Sequence, residues 1–162
     1  YSSQRVEQIH ALVWPKMQTM LEAAKSNSIV LYIKSAYRSF DEQQALKGDY
    51  TVTYGAGTAN QFSADQGYSE HQLGTTADFI TTGLGGQLSG FNGTGAYQWM
   101  LQNAYRYGFA LSYPEGNGYY VFEPWHWRYV GVELATYLHA NGKHFYDLDQ
   151  REIDQYLVKI FD

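Results

Sequence analysis

The 162-residue chain contains no cysteine, so disulfides, thiolate metal ligands and cysteine nucleophiles are all excluded. Positive charge is scarce as well: 11 Lys and Arg stand against 16 Asp and Glu, a formal net charge of −5. Nucleic-acid binders ordinarily carry a basic footprint, and this chain offers none. No apolar run approaches the roughly 20 residues that a membrane-spanning helix needs, and no signal peptide is visible. Freedom from cysteine suits the cytoplasm and a bacterial envelope equally. A start at Tyr1 rather than methionine suggests a trimmed or processed segment.

What the chain does have is apolar and aromatic mass, 44% and 17% of residues, with 16 tyrosines. At this length it predicts one ordered domain over 1–162 with a sizeable core. Tyrosine is suited to sites that bind polar ligands by stacking and hydrogen bonding together. Residues 3–26 place Val6, Ile9, Val13, Met17, Met20, Leu21 and Ala24 at helical spacing. Pro15 is expected to kink or divide that helix. Ile29 to Ala36 reads as a central strand, and Ser39 to Glu42 as a capping box opening a short helix that stops at Gly48.

Residues 48–68 and the glycine-rich 81–95 read as long loops. A short strand is expected from about 76, and a helix over 96–107 closed by Gly108. Phe109–Ser112 and Tyr119–Phe122 read as a hairpin. Helices near 131–140 and 149–160 complete the chain, the latter with a second capping box at Asp149 and Glu152. The fold class is α+β, a small mostly antiparallel central sheet flanked by helices, with the site in a cleft on the sheet.

Chemistry concentrates in two stretches, Ser69–Asp78 and Glu123–Trp127. His71, Asp78 and His126 have the number and hardness of ligands that a catalytic zinc ion takes, leaving a fourth position to water. Each alone is as well read as a packed histidine or a surface aspartate. Pro124 breaks the strand period, which would otherwise set Glu123 and His126 on opposite faces. Glu123 is then placed to take a proton from water, although a strand-end surface carboxylate reads the same in isolation. Arg38 closes a strand before a capped helix, suited to gripping a carboxylate or an oxyanion, with a surface salt bridge as the plain alternative. Ser69 and Gln43 are candidates for polar contacts to a peptide; taken alone, turn-making and a solvent-facing helix position explain them better. His10, His139 and His144 are left to structural roles.

Taken together these motifs resemble the VanY-type D-alanyl-D-alanine carboxypeptidases, zinc peptidases that trim bacterial peptidoglycan stems. The family pattern is Tyr-Arg-Ser, then Ser-x-His-x-x-Gly-x-Ala-x-Asp, then Glu-x-Trp-His. The chain has Tyr37-Arg38-Ser39, Ser69-x-His71-x-x-Gly74-x-Thr76-x-Asp78 and Glu123-Pro124-Trp125-His126. Order and spacing match from about residue 30 to 131, including Tyr107-Gly108-Phe109 and Arg128-Tyr129-Val130-Gly131. Thr76 departs from the usual alanine and is expected to fit the core with its hydroxyl bonded to backbone.

The resemblance implies His71, Asp78 and His126 as Zn2+ ligands, Glu123 as base and Arg38 as oxyanion and substrate anchor. It implies Ser69 and Gln43 as contacts to the substrate's terminal residues and Trp125 as a wall of the pocket. The activity it implies is removal of a terminal D-Ala from stem peptides, with L,D-carboxypeptidase and endopeptidase action as alternatives within the class. A monomer acting in the cell envelope or outside the cell is the matching expectation. From a different class, a wall-binding module with a structural zinc would need four protein ligands, and only three are found.

Overall fold

A computed structural model describes residues 6–55 and 63–162. Along the chain run α1 (Trp14–Ser26), β1 (Tyr32–Ser35), α2 (Phe40–Tyr54), β2 (Thr76–Ile80), α3 (Gly95–Asn103), β3 (Phe109–Leu111), β4 (His126–Tyr129), α4 (Val132–Asn141) and α5 (Gln150–Leu157). The four strands form one antiparallel sheet in the order β1-β2-β4-β3. This is the α+β arrangement the sequence predicts.

The strand period assigns the two faces of the sheet. Successive side chains alternate sides, so Ala77 and Phe79 on β2 and Trp127 and Tyr129 on β4 join the buried core with Met17, Met20, Phe91 and Met100. Two residues at alternate positions, Asp78 and His126, are direct cross-strand partners and turn to the other face. The site is therefore built on the side of the sheet away from the main core. A second apolar cluster joins Val130 to Leu134, Leu138, Phe145 and Leu148 in the C-terminal part of the chain.

Several elements differ from the sequence reading, each for a visible reason. Pro15 does not divide a helix; it sits in the first turn of α1, where its missing N–H costs nothing. The helical spacing upstream of it does not extend the helix: residues 6–10 have no regular structure and Val6 is 84% exposed, although Ile9 and Val13 join the core. Residues 8–10 instead run as a strap, with Gln8 accepting from the Tyr37 amide at 2.8 Å and His10 donating to Gly74 at 2.8 Å. β1 is an edge strand rather than a central one, with Tyr32 and Lys34 facing outward.

The capping box of Ser39 and Glu42 forms as predicted, but α2 runs through Gly48 to Tyr54. A glycine inside a helix costs only about 1 kcal/mol against alanine, which the six further residues of helix outweigh. The expected loop over 48–68 is thus helical in its first part, while 56–62 lies outside the described residues. The predicted hairpin is also corrected. Asn117 Oδ1 accepts from the Tyr119 and Tyr120 amides at 3.1 and 2.7 Å, which curls that stretch into a turn. β3 pairs with β4 instead. Phe91 explains why 81–95 is not simply loop: it is fully buried in a 3-10 turn, Phe91–Gly93, within that stretch.

Thr76 is fully buried on β2, and its hydroxyl finds no partner, contrary to the backbone bond expected of it. An unsatisfied buried hydroxyl costs free energy that an isosteric methyl does not. Thr76→Val is therefore expected to raise the unfolding free energy by about 1–3 kcal/mol in urea titrations. Equal or lower stability of the variant would show that the hydroxyl does find a partner.

Candidate active site

Three elements converge to bring His71, Asp78 and His126 together. A 3-10 turn, Glu70–Leu73, carries His71 and ends at Gly74, whose φ of +70° favours glycine and swings the chain into β2. β2 then delivers Asp78 opposite His126 on β4. His71 Nε2 lies 3.2 Å from Asp78 Oδ2, and His126 Nδ1 lies 3.0 Å from Asp78 Oδ1. One ligand atom from each of the three falls within 4.8 Å of the others, and all three side chains are buried.

The donor set fits a divalent cation, and zinc in particular by its two imidazoles and one carboxylate. Each member is also held from outside. His71 Nδ1 meets the Ala36 carbonyl at 2.6 Å, Asp78 Oδ2 accepts from Ser35 Oγ at 2.6 Å, and His126 Nε2 meets Glu70 Oε2 at 2.9 Å. β1 supplies Ser35 at a register shift against β2, so the irregular edge strand is what reaches the triad. Ligand orientation by such outer partners is the usual support of a metal site.

Charge gathers at the same point. Burial resists ionisation of Asp78, yet the neighbouring His71 and His126 prevail and hold it far below the usual carboxylate range. Burial likewise opposes a charged His126, but its hydrogen bonds to Asp78 and Glu70 raise it to about 10. Acidic groups thus surround the imidazole in the way that favours a cation.

A turn at Pro124 and Trp125 follows Glu123, closed by the His126 amide donating to the Glu123 carbonyl at 3.1 Å. Trp127 Nε1 donates to the Pro124 carbonyl at 2.9 Å, fixing the break in the strand. The carboxylate of Glu123 thereby comes within 3.5 Å of His126 Nδ1, on the triad side of the ring. Burial pushes the Glu123 carboxyl up to about 7; His126 and Arg38 draw it down and Asp78 and Glu70 raise it. A cation in the triad would lower it further by favouring the charged form.

Arg38 shares a cavity of about 460 Å³ with the triad, Glu123, Ser69, Gln43 and Trp125. Its guanidinium donates to Gln43 Oε1 at 2.7 Å, and its backbone amide to the His71 carbonyl at 3.1 Å. Gln43 is buried, and its amide nitrogen donates to Ser63 Oγ and the Ala64 carbonyl. In this arrangement Gln43 aims Arg38 and pins residues 63–64. Ser69 opens the 3-10 turn without capping it through its side chain, and Trp125 is half-buried on the cavity wall. Tyr50, Tyr54, Tyr113 and Tyr120 also line the cavity, whereas Tyr68 lies on the surface. The remaining histidines stay apart: His10 stacks on Phe161, His139 on Tyr105, and His144 caps a turn.

Glu70 is the residue the sequence reading passes over. It is buried, accepts from Ser112, Arg128 and Tyr146, and touches His126. Burial resists its charge, but the contacts with His126, Arg128 and Ser112 bring it down to about 2. A charged residue next to a histidine is ordinary in sequence, and only the fold distinguishes it from a solvated one.

Comparison with known proteins follows the same lines. The family of VanY, D-alanyl-D-alanine carboxypeptidase, matches residues 6–132. The D-alanyl-D-alanine carboxypeptidase of Enterococcus faecalis (strain ATCC 700802 / V583) is 31% identical over 148 residues, 84% of this chain and 53% of the relative. The chain spans about half the length of the first curated relatives it matches. Among solved structures, the LD-carboxypeptidase LdcB superposes with a TM-score of 0.80 at 31% identity, over 98% of this chain and 74% of that one. A variant of the vancomycin resistance D,D-pentapeptidase VanY from the VanB-type cassette, in complex with Zn(II), gives 0.75 at 29% identity, over 97% and 88%. Triad, carboxylate and arginine on this antiparallel sheet, with the match over residues 6–132, establish that the chain belongs to the VanY D-alanyl-D-alanine carboxypeptidase family.

Proposed function

We propose that the chain is a zinc D,D-carboxypeptidase domain that removes the C-terminal D-Ala from peptidoglycan stem peptides. One observation carries the reading: His71, Asp78 and His126 gather within 4.8 Å, and Glu123 and Arg38 face the same cavity. A binding module with a structural metal has no need of the last two. We further propose that residues 1–162 act as one catalytic domain, as a monomer, in the cell envelope or outside the cell. No helix among the described residues is long and apolar enough to cross a membrane.

His71 Nε2, Asp78 and His126 Nδ1 would hold zinc, which would supply Lewis acidity toward a water molecule and the scissile carbonyl. Glu123 accepts the proton that water loses as its oxygen bonds to the carbonyl carbon. The same carboxyl then returns a proton to the departing amine as the C–N bond breaks, so the proton count closes. Arg38 offers guanidinium N–H donors to the oxygen that gains charge, or to the free carboxylate of the substrate. Gln43 keeps that guanidinium from swinging away, and Trp125 and the cavity tyrosines exclude water from the peptide.

Likeness to LdcB favours a second reading, L,D-carboxypeptidase action on tetrapeptide stems. Mass spectrometry of pentapeptide and tetrapeptide stems, digested with zinc-loaded protein and with a chelator control, separates the two. Chelator-sensitive shortening of the pentapeptide alone is the expected result. Shortening of the tetrapeptide alone would assign L,D activity. Two intact stems beside a cleaved cross-bridge would assign an endopeptidase, and no cleavage with zinc bound would leave a binding module.

A further inference from the structure

We infer that Glu70 is a positioning residue for the metal site, and that the C-terminal 3-10 turn Phe145–Asp147 is coupled to that site through Tyr146. The inference rests on the zinc reading of the triad. His126 turns Nδ1 into the triad, 3.0 Å from Asp78 Oδ1, and Nε2 away from it, 2.9 Å from Glu70 Oε2. An imidazole that ligates through Nδ1 must carry its proton on Nε2. A carboxylate at Nε2 holds that proton, fixes the ring's rotation and raises the basicity of the ligating nitrogen. The other two ligands have neutral outer partners, a backbone carbonyl and a serine hydroxyl, so Glu70 brings the charge.

Glu70 is itself immobilised. Oε2 accepts from Ser112 Oγ at 2.7 Å as well as meeting His126, and Oε1 accepts from Arg128 Nη1 at 3.1 Å and Tyr146 Oη at 2.6 Å. Four partners fill the usual acceptor capacity of a carboxylate. Glu70 therefore holds a ligand, whereas Glu123 faces the triad with its carboxylate less engaged. The guanidinium of Arg128 lies over the Phe145 ring, 4.2 Å from its centroid. Phe145 and Tyr146 thus tie a segment beyond residue 132, where the family match ends, to a metal ligand.

The test measures zinc affinity by competition with a chromophoric chelator, and the NMR resonance of the His126 Nε2 proton in zinc-loaded protein. Glu70→Gln sets an amide N–H₂ against groups that donate to the carboxylate. It is expected to weaken zinc binding on the order of 10–100-fold and to move the proton resonance upfield. Tyr146→Phe, which removes one hydrogen bond outside the triad, is expected to shift both readouts less and in the same direction. If Glu70→Gln fails to fold, Tyr146→Phe and Ser112→Ala carry the test. Parent-like zinc affinity and an unmoved proton in the folded variants would overturn the inference alone. Weakening by Glu70→Gln with no effect of Tyr146→Phe would overturn the coupling to the C-terminal turn. A parent protein that takes up no zinc would overturn the metal reading and this inference with it.

Discussion

Glu123→Ala is expected to bind zinc like the parent and to lose hydrolysis on the order of 10²–10⁴-fold, the usual contribution of general base catalysis. The prediction separates two roles that lie close together in space. Glu123 is 3.5 Å from His126 Nδ1, yet it is not one of the three side chains whose ligand atoms cluster. Removing it leaves the triad and its three outer partners in place, so metal content measured by competition or by elemental analysis should hold. Turnover of a stem peptide should collapse in kcat, because proton transfer belongs to the reacting state rather than to binding. Near-parent turnover would remove Glu123 from the mechanism. Loss of zinc together with activity would make it a ligand instead.

Removing the guanidinium is expected to be the second large effect. Arg38→Ala should lower kcat on the order of 10²–10³-fold, the typical loss for one oxyanion donor. Its geometry argues against a conservative rescue: Gln43 already receives one guanidinium N–H at 2.7 Å, and the substrate must take another. A lysine ammonium lacks the planar fork that serves both partners at once, so Arg38→Lys should recover little. Steady-state kinetics distinguish the possible outcomes. A rise in KM with kcat unchanged would assign Arg38 to ground-state binding of the substrate carboxylate. Parent-like values of both constants would show that Arg38 only holds Gln43 and the residues around 63–64.

Much of the site was legible in the sequence because its signals are local. Ser39 and Glu42 predict a cap, and the cap forms. Gly74 between His71 and Asp78 predicts a turn into a strand, and β2 begins at Thr76. Pro124 predicts a break beside His126, and a turn occupies 124–125. Elements depending on distant partners were less legible. β1 has the composition of a central strand, but strand order is decided by which edges meet, and it lies at the edge. Tyr119–Phe122 has strand character too, yet Asn117 takes two of its backbone amides and β4 takes its place beside β3.

The sequence by itself determined the candidate ligand types, their spacing, the family pattern and the helix starts set by capping side chains, since each depends on residues a few positions apart. Tertiary structure alone decided that Asp78 pairs with His126, that Gln43 is spent on Arg38, and that Glu70 is buried among Ser112, Arg128, Tyr146 and His126. Apart from Arg38 and Gln43, five residues apart, those contacts join segments 42, 48, 56, 58 or 76 residues apart. Burial turns their modest hydrogen bonds into strong constraints, because a charged group withdrawn from water must be satisfied by whatever the fold brings to it.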